Sequence, residues 1–249
     1  MHTYINQMIK EIETKHDVKI VFACETGSLA AGLHSPFSDY DNRFIYTRRF
    51  DSYVTLFEYP DTITLLENKI ELHGWDMKKA ILLLIKSNPS LLEWFQSPQL
   101  PVTNEAIFQK LKEKSLLYFC PGTCFYHYRK MAEANERKVD IDNVKSYITV
   151  VKPLLACRWI VQYGTIPPIH FETLVQAVNI TDSLKEQFLK MAQVKRGEIT
   201  EQLDFNAIQA FVLQQLNDFA HKVVKKKSIR KEEGELTAFF QHIVKEAWE

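Results

Sequence analysis

Val18-Lys-Ile-Val-Phe-Ala-Cys24, then Gly27-Ser28, then ten further residues, then Asp39-Tyr-Asp-Asn-Arg-Phe-Ile-Tyr46: the order of these segments decides the fold. The first is short, β-branched and apolar, which predicts a buried strand. A second short strand is expected from near Asp39 to Tyr46, with a tight turn, a helical turn or two over Leu29 to Leu33, and a loop in between. Strand side chains alternate, so Asp39 and Asp41 project from one face, where two unpaired carboxylates repel. A hard divalent cation such as Mg²⁺, or Mn²⁺ in its place, relieves that repulsion, since it takes a few carboxylate oxygens and completes its shell with water and substrate phosphates. Asp41 is placed to bridge two such ions. A third extended stretch, about Thr62 to Leu72, carries Glu71 between Ile70 and Leu72. A carboxylate there completes a two-metal site, with ions roughly 3.5–4 Å apart. Asp76 is the alternative third ligand, although its place before a helix favours capping. Gly27 at a strand-to-helix turn lets backbone N–H groups approach an anion and Ser28 adds a hydroxyl, so a phosphate cradle is expected beside the metals. Arg43, on the carboxylate face, either pairs with an acid or reaches a triphosphate.

Working outward, Tyr4, Ile5, Met8, Ile9 and Ile12 recur at helical spacing and predict an amphipathic helix over residues 2–15. Downstream, Asp76 caps a helix Met77 to Lys86, Ser87-Asn-Pro89 stops it, and a short helix carries Leu91, Leu92, Trp94 and Phe95. Beyond Asn104 only helical periodicity persists, in Glu105 to Phe119, Phe125 to Lys138, Asn143 to Tyr163 and Ala207 to Val224. Two domains are therefore expected, 1–103 and 104–249, the second wholly helical. Pro121-Gly122 and Thr165 to Pro168 read as turns, and Pro153 should bend or interrupt its helix. Lys222 to Glu233 is a charge run that reads as a solvated face.

Composition excludes several classes. With 31 basic and 31 acidic side chains among 249 residues, 46% hydrophobic, 7 Gly and 9 Pro, the chain is neither disordered nor fibrous. No apolar stretch approaches the roughly 20 residues needed to cross a bilayer, and the charged N-terminus has no signal-like core, so a cytoplasmic location is expected. The four cysteines then read as reduced thiols, and Cys120, Cys124 and His127 lack the fourth ligand of a zinc site. Zero net charge argues against general nucleic-acid coating.

The ordered motif resembles the nucleotidyltransferase superfamily of DNA polymerase beta. Further blocks sharpen the likeness: Glu25-Thr-Gly-Ser28, Ser35-Pro-Phe-Ser-Asp-Tyr-Asp41, Arg43-Phe-Ile-Tyr46, Gly74-Trp-Asp-Met-Lys-Lys79, Ser87-Asn-Pro-Ser-Leu-Leu-Glu-Trp94 and Pro153-Leu-Leu-Ala-Cys-Arg-Trp159. Together they resemble bacterial nucleotidyltransferases related to the RNA-ligase-associated group. The resemblance implies an α+β fold, a minimal nucleotidyltransferase mixed sheet with flanking helices followed by an all-helical C-terminal domain. It also implies Mg²⁺-dependent transfer of an NMP group from an NTP, most simply ATP, to an acceptor. In the wider superfamily a basic residue of the helical domain holds the triphosphate, which points to Lys145 and Lys152, seven apart on one helix face. Asn42 departs from the pattern, which has an apolar residue there. The acceptor is left open among an RNA end, met by a stripe of Arg129, Lys130, Lys145, Lys152 and the Lys222 to Lys231 run, a small molecule near His127 and Trp75, and a protein hydroxyl. A non-catalytic nucleotide-sensing or antitoxin-like module on the same fold is the rival expectation.

Overall fold

Ile5, Met8, Ile9 and Ile12 fall on one side of helix α1 (His2–His16) and are all buried, which fixes that helix against the sheet. The helix gives way at Asp17, whose φ of +48° cannot continue it. The computed structural model describes residues 2–140, 143–200, 202–225 and 232–249. Strand β1 (Val18–Glu25) follows, then a single-turn helix α2 (Gly27–Ala30), strand β2 (Tyr40–Arg48) and a short 3-10 turn (Phe50–Val54). The expected single extended stretch from Thr62 to Leu72 is instead a hairpin of β3 (Thr62–Glu67) and β4 (Ile70–Asp76). Asn68 and Lys69 make its two-residue turn with φ of +46° and +66°, the left-handed pair that matches strand twist.

The four strands lie in the order β1-β2-β4-β3, antiparallel at both ends and parallel between β2 and β4. Phe44, Tyr46, Ile70 and Leu72 pack with α1 on one face. Phe22 and Ile45 pack on the other with α3 (Met77–Leu84), α4 (Pro89–Trp94) and α5 (Glu105–Tyr118). Asp76, Asn88 and Asn104 each cap the following helix by accepting a backbone N–H.

Five helices then form a second cluster: α6 (Pro121–Glu136), α7 (Val144–Tyr163), α8 (Phe171–Ala177), α9 (Asp182–Arg196) and α10 (Phe205–Ala220). Pro121 begins α6 rather than making the expected turn, because the first helical position needs no N–H from it. Pro153 does not interrupt α7. The Thr149 carbonyl it deprives of a partner accepts instead from the Asn135 side-chain amide of α6, at 2.8 Å. The last helix, α11 (Glu233–Glu246), returns to the sheet side, where Ile243 joins the cluster of α3 and α5. The apolar clusters thus do not divide at residue 104, since α5 and α11 both pack with the sheet. Among the described residues no strand follows Asn104, and no helix is long and apolar enough to cross a membrane.

Candidate active site

Register does most of the assembly. β2 and β4 pair in parallel with Asp41 directly opposite Glu71, so both carboxylates leave the same face of neighbouring strands. Asp39 precedes β2 and is exposed at its entry. Asp41 is half-buried. Its neighbour across the turn is Gly27, with φ of +63° and so close that a Cβ there would meet Asp41 Oδ2 at 2.1 Å. Only glycine fits both the backbone and the gap. Thr26 ties the two segments together, donating to the Asp41 carbonyl through its N–H at 2.7 Å and its hydroxyl at 3.0 Å.

Arg43 pairs with acids in this structure. Its guanidinium reaches Glu71 Oε1 at 3.2 Å and Asp41 Oδ1 at 3.5 Å. One cation among three carboxylates leaves the wall net negative. Burial raises the Asp41 pKa, and the charges of Glu71 and Asp39 push it further, against Arg43 and Lys145. Among the described residues no three carboxylate, thiol or imidazole groups already close around a point. Mg²⁺ does not need such a cage, because it binds through one or two carboxylates plus water and phosphate oxygens. The all-oxygen donor set and its shortage of positive charge fit that ion. Asp76 does not share the site. It lies five residues along β4 from Glu71, caps α3 through Lys78 N at 2.8 Å and accepts from the Tyr53 hydroxyl at 2.9 Å.

A cleft of about 580 Å³ opens between this wall and α7, and Gly27, Ser28, Asp39, Asp41, Lys145 and Lys152 all line it. Glu71 and Arg43 are not among its lining residues. Lys152 is already committed: its Nζ lies 3.0 Å from Glu93 Oε2, while the Tyr128 hydroxyl donates to the other carboxylate oxygen at 3.0 Å. A lysine the sequence did not single out takes the freer position. Lys195, near the end of α9, lines the cleft, donates to Ser38 Oγ at 3.4 Å and has its pKa lowered by burial and then by the Lys145 charge. Two ammonium groups that disfavour one another across a cleft are a place for an anion. The periodicity of α9 marks a helix but nothing in it foretells which cleft that helix reaches.

Other expected contributors lie elsewhere. Arg129 donates to the Phe219 and Ala220 carbonyls and pairs with Glu133, as does Lys130. His127 has its pKa lowered mainly by burial and hydrogen-bonds the Lys86 backbone. Trp75 stacks on Trp94 with ring centroids 3.9 Å apart. Neither His127 nor Trp75 lines the cleft. Asn42 is buried, its amide nitrogen donating to the Tyr40 and Glu71 carbonyls while its oxygen has no partner among the described residues. Most of the Lys222 to Lys231 run lies outside the described residues.

Comparisons with known proteins agree with this fold. A curated relative, the uncharacterized protein YcgL of Bacillus subtilis (strain 168), is 32% identical over 249 residues, covering 96% of this chain and 95% of its own. The crystal structure of spectinomycin adenyltransferase AAD(9) from Enterococcus faecialis, with ATP and spectinomycin, superposes with a TM-score of 0.50 at 13% identity, over 88% of this chain and 99% of its own. That likeness is one of fold. Residues 1–242 match the RlaP family, described as an RNA repair pathway DNA polymerase beta family. With that match spanning nearly the whole chain, and with the mixed sheet and helical layer in place, the protein belongs to the RlaP family of DNA polymerase beta-type nucleotidyltransferases.

Proposed function

We propose that this chain transfers an NMP group from an NTP, ATP in the simplest case, to the end of an RNA, releasing pyrophosphate. The observation that carries the reading is the register of Asp41 against Glu71, with Gly27 pressed onto the Asp41 carboxylate beside an open cleft. Asp39 and Asp41 are the residues to hold two divalent ions, with Glu71 on the catalytic one. Bound Mg²⁺, or Mn²⁺, supplies the charge neutralisation that in-line displacement at phosphorus requires. Ser28 and the backbone N–H groups around it grip the leaving phosphates. Lys145 and Lys195 face the same polyanion from the helical side, and Lys152 stays with Glu93. Glu71, when Arg43 turns from it to a phosphate, accepts the proton of the acceptor hydroxyl. That oxygen bonds to the α-phosphorus as the bond to pyrophosphate breaks. We place the functional division between the sheet with its packed helices, including α5 and α11, and the α6 to α10 layer that closes over it.

The RNA acceptor rests on the family description together with the lysines of the cleft. Incubation with each α-labelled NTP, Mg²⁺ and single-stranded RNA should label the RNA and release pyrophosphate, and Asp39→Asn and Asp41→Asn should abolish both. One observation favours the non-catalytic rival: Arg43 already bridges Asp41 and Glu71, as a retired site would hold its acids. Tight Mg²⁺-NTP binding with no turnover on RNA or small hydroxyl acceptors would decide for the rival.

A further inference from the structure

We propose that Phe37 is a stacking platform for the terminal nucleobase of the RNA acceptor, an inference that rests on the nucleotidyl-transfer reading above. Phe37 is 87% exposed, yet it lines the same cleft as Asp39 and Asp41. A phenyl ring left in water contributes little to the core, and what sets Phe37 apart from other exposed apolar side chains such as Phe57 is its place in the cleft.

The loop that presents it is not loose. Ser35-Pro-Phe-Ser38 is a β-turn closed by Ser38 N donating to the Ser35 carbonyl at 2.9 Å, with proline at its second position, where its fixed φ preorganises the turn. Ser38 Oγ accepts from Ser35 N at 3.1 Å and lies 3.0 Å from Ser35 Oγ. Ser35 itself is buried. From the opposite wall, Lys195 reaches Ser38 Oγ at 3.4 Å. Phe37 is therefore an exposed ring on a rigid, doubly tied support.

The ligand chemistry follows from the neighbours. A flat apolar face flanked by lysines and carboxylates suits a planar aromatic ring carried on a phosphate chain, and base stacking on aromatic side chains tolerates any base. The NTP base would take the part of the cleft lined by Tyr128, Met131, Ile148 and Pro153. Phe37 is instead open to solvent, two residues before Asp39. Of the two aromatic side chains lining the cleft among the described residues, Tyr128 is buried and bonded to Glu93, which leaves Phe37 as the available ring.

The test compares a short single-stranded RNA with the same RNA whose 3′-terminal nucleotide is abasic, which keeps the phosphates and deletes the ring. Binding to the full chain with Mg²⁺ is measured for the parent, Phe37→Ala and Phe37→Trp, with a Mg²⁺-NTP titration alongside and melting curves to confirm folding. The parent should prefer the intact end by about 5-fold to 150-fold, Phe37→Ala should lose the preference, and Phe37→Trp should keep it. The emission that Phe37→Trp adds over the four native tryptophans should be quenched by the intact RNA and not by NTP. Equal parental binding to both RNAs, a preference surviving in Phe37→Ala, or quenching by NTP alone would each overturn the assignment. Absence of any RNA binding would overturn it too, and the NTP titration then shows whether the nucleotidyl-transfer reading survives without it.

Discussion

The two walls of the cleft are built by different means. On the sheet side, Asp41 is fixed against Glu71 by strand register and against Gly27 by a gap with no room for a methyl group, so its position is set by neighbouring backbone. On the helical side, Lys145 comes from α7 and Lys195 from α9, and each arrives on a long flexible stem. The rigid wall suits chemistry, which needs atoms held to a fraction of an ångström, and the adaptable wall suits gripping a polyanion whose shape changes during reaction. Substitutions should therefore split by wall, the sheet side acting on turnover and the helical side on affinity.

The sharpest break is expected at Asp41→Asn, which keeps shape and removes one ligand charge. Turnover with Mg²⁺-NTP should fall on the order of 1000-fold. The melting temperature should hold or rise, because one of several repelling carboxylates is gone. A marked drop in melting temperature with Mg²⁺-NTP binding intact would show a structural pair instead. Gly27→Ala comes next. Its φ of +63° and the 2.1 Å approach to Asp41 Oδ2 mean that the carboxylate must move. Turnover should drop about 100-fold, and the backbone strain of about 1 kcal/mol should lower the melting temperature by roughly 2–4 °C. Wild-type kinetics in that variant would mean that Asp41 need not sit where it does.

On the helical wall, Lys145→Ala and Lys195→Ala should each raise the KM for NTP about tenfold with a smaller change in kcat. Lys152→Ala should act differently. Its ammonium is held by Glu93, so the loss should appear in thermal stability, measured by calorimetry, more than in KM. A KM effect at Lys152 equal to that at Lys195 would put it on the polyanion after all.

The smallest effect concerns Asp76, outside both walls. Burial raises its pKa above the ordinary 3.8, against the Lys78 N–H and Tyr53 hydroxyl that stabilise the charge. The folded state thus holds that proton more tightly than the unfolded chain, and this group's contribution to stability is greatest at low pH and declines as pH rises from 3.8 through the folded value. Asp76→Asn should remove that decline from a melting-temperature series across mildly acidic pH. An unchanged slope would mean that Asp76 titrates as it does in the unfolded chain.

Several of these relations were legible in the residues. The carboxylate pair was legible by spacing, and both Asp39 and Asp41 line the cleft although Asp39 precedes β2, while a glycine before a helical turn announces its own backbone need. Glu71 was identifiable by type, but the chain could not disclose that Asn68 and Lys69 fold the expected single strand into a hairpin, which is what sets Glu71 opposite Asp41. For Arg43 the sequence could not tell that the parallel pairing brings two acids within its reach. Pro153 looked like a break because the group that replaces its missing hydrogen bond, Asn135, stands on another helix.

By itself the sequence determined what short-range geometry controls: strand and helix periods, the capping residue Asp76, the glycine turn, and the carboxylate spacing that marks the superfamily. Only the tertiary structure decided which side chains meet from distant segments. It gave Lys152 to Glu93 and brought Lys195 beside Ser38, 157 positions away. It also packed α8 onto the active-site loop through Phe171 N and the Ala31 carbonyl, 3.0 Å apart. The physical reason is that such contacts depend on how helices stack after the core has formed, and hydrophobic patterning states that a face is buried without stating against what.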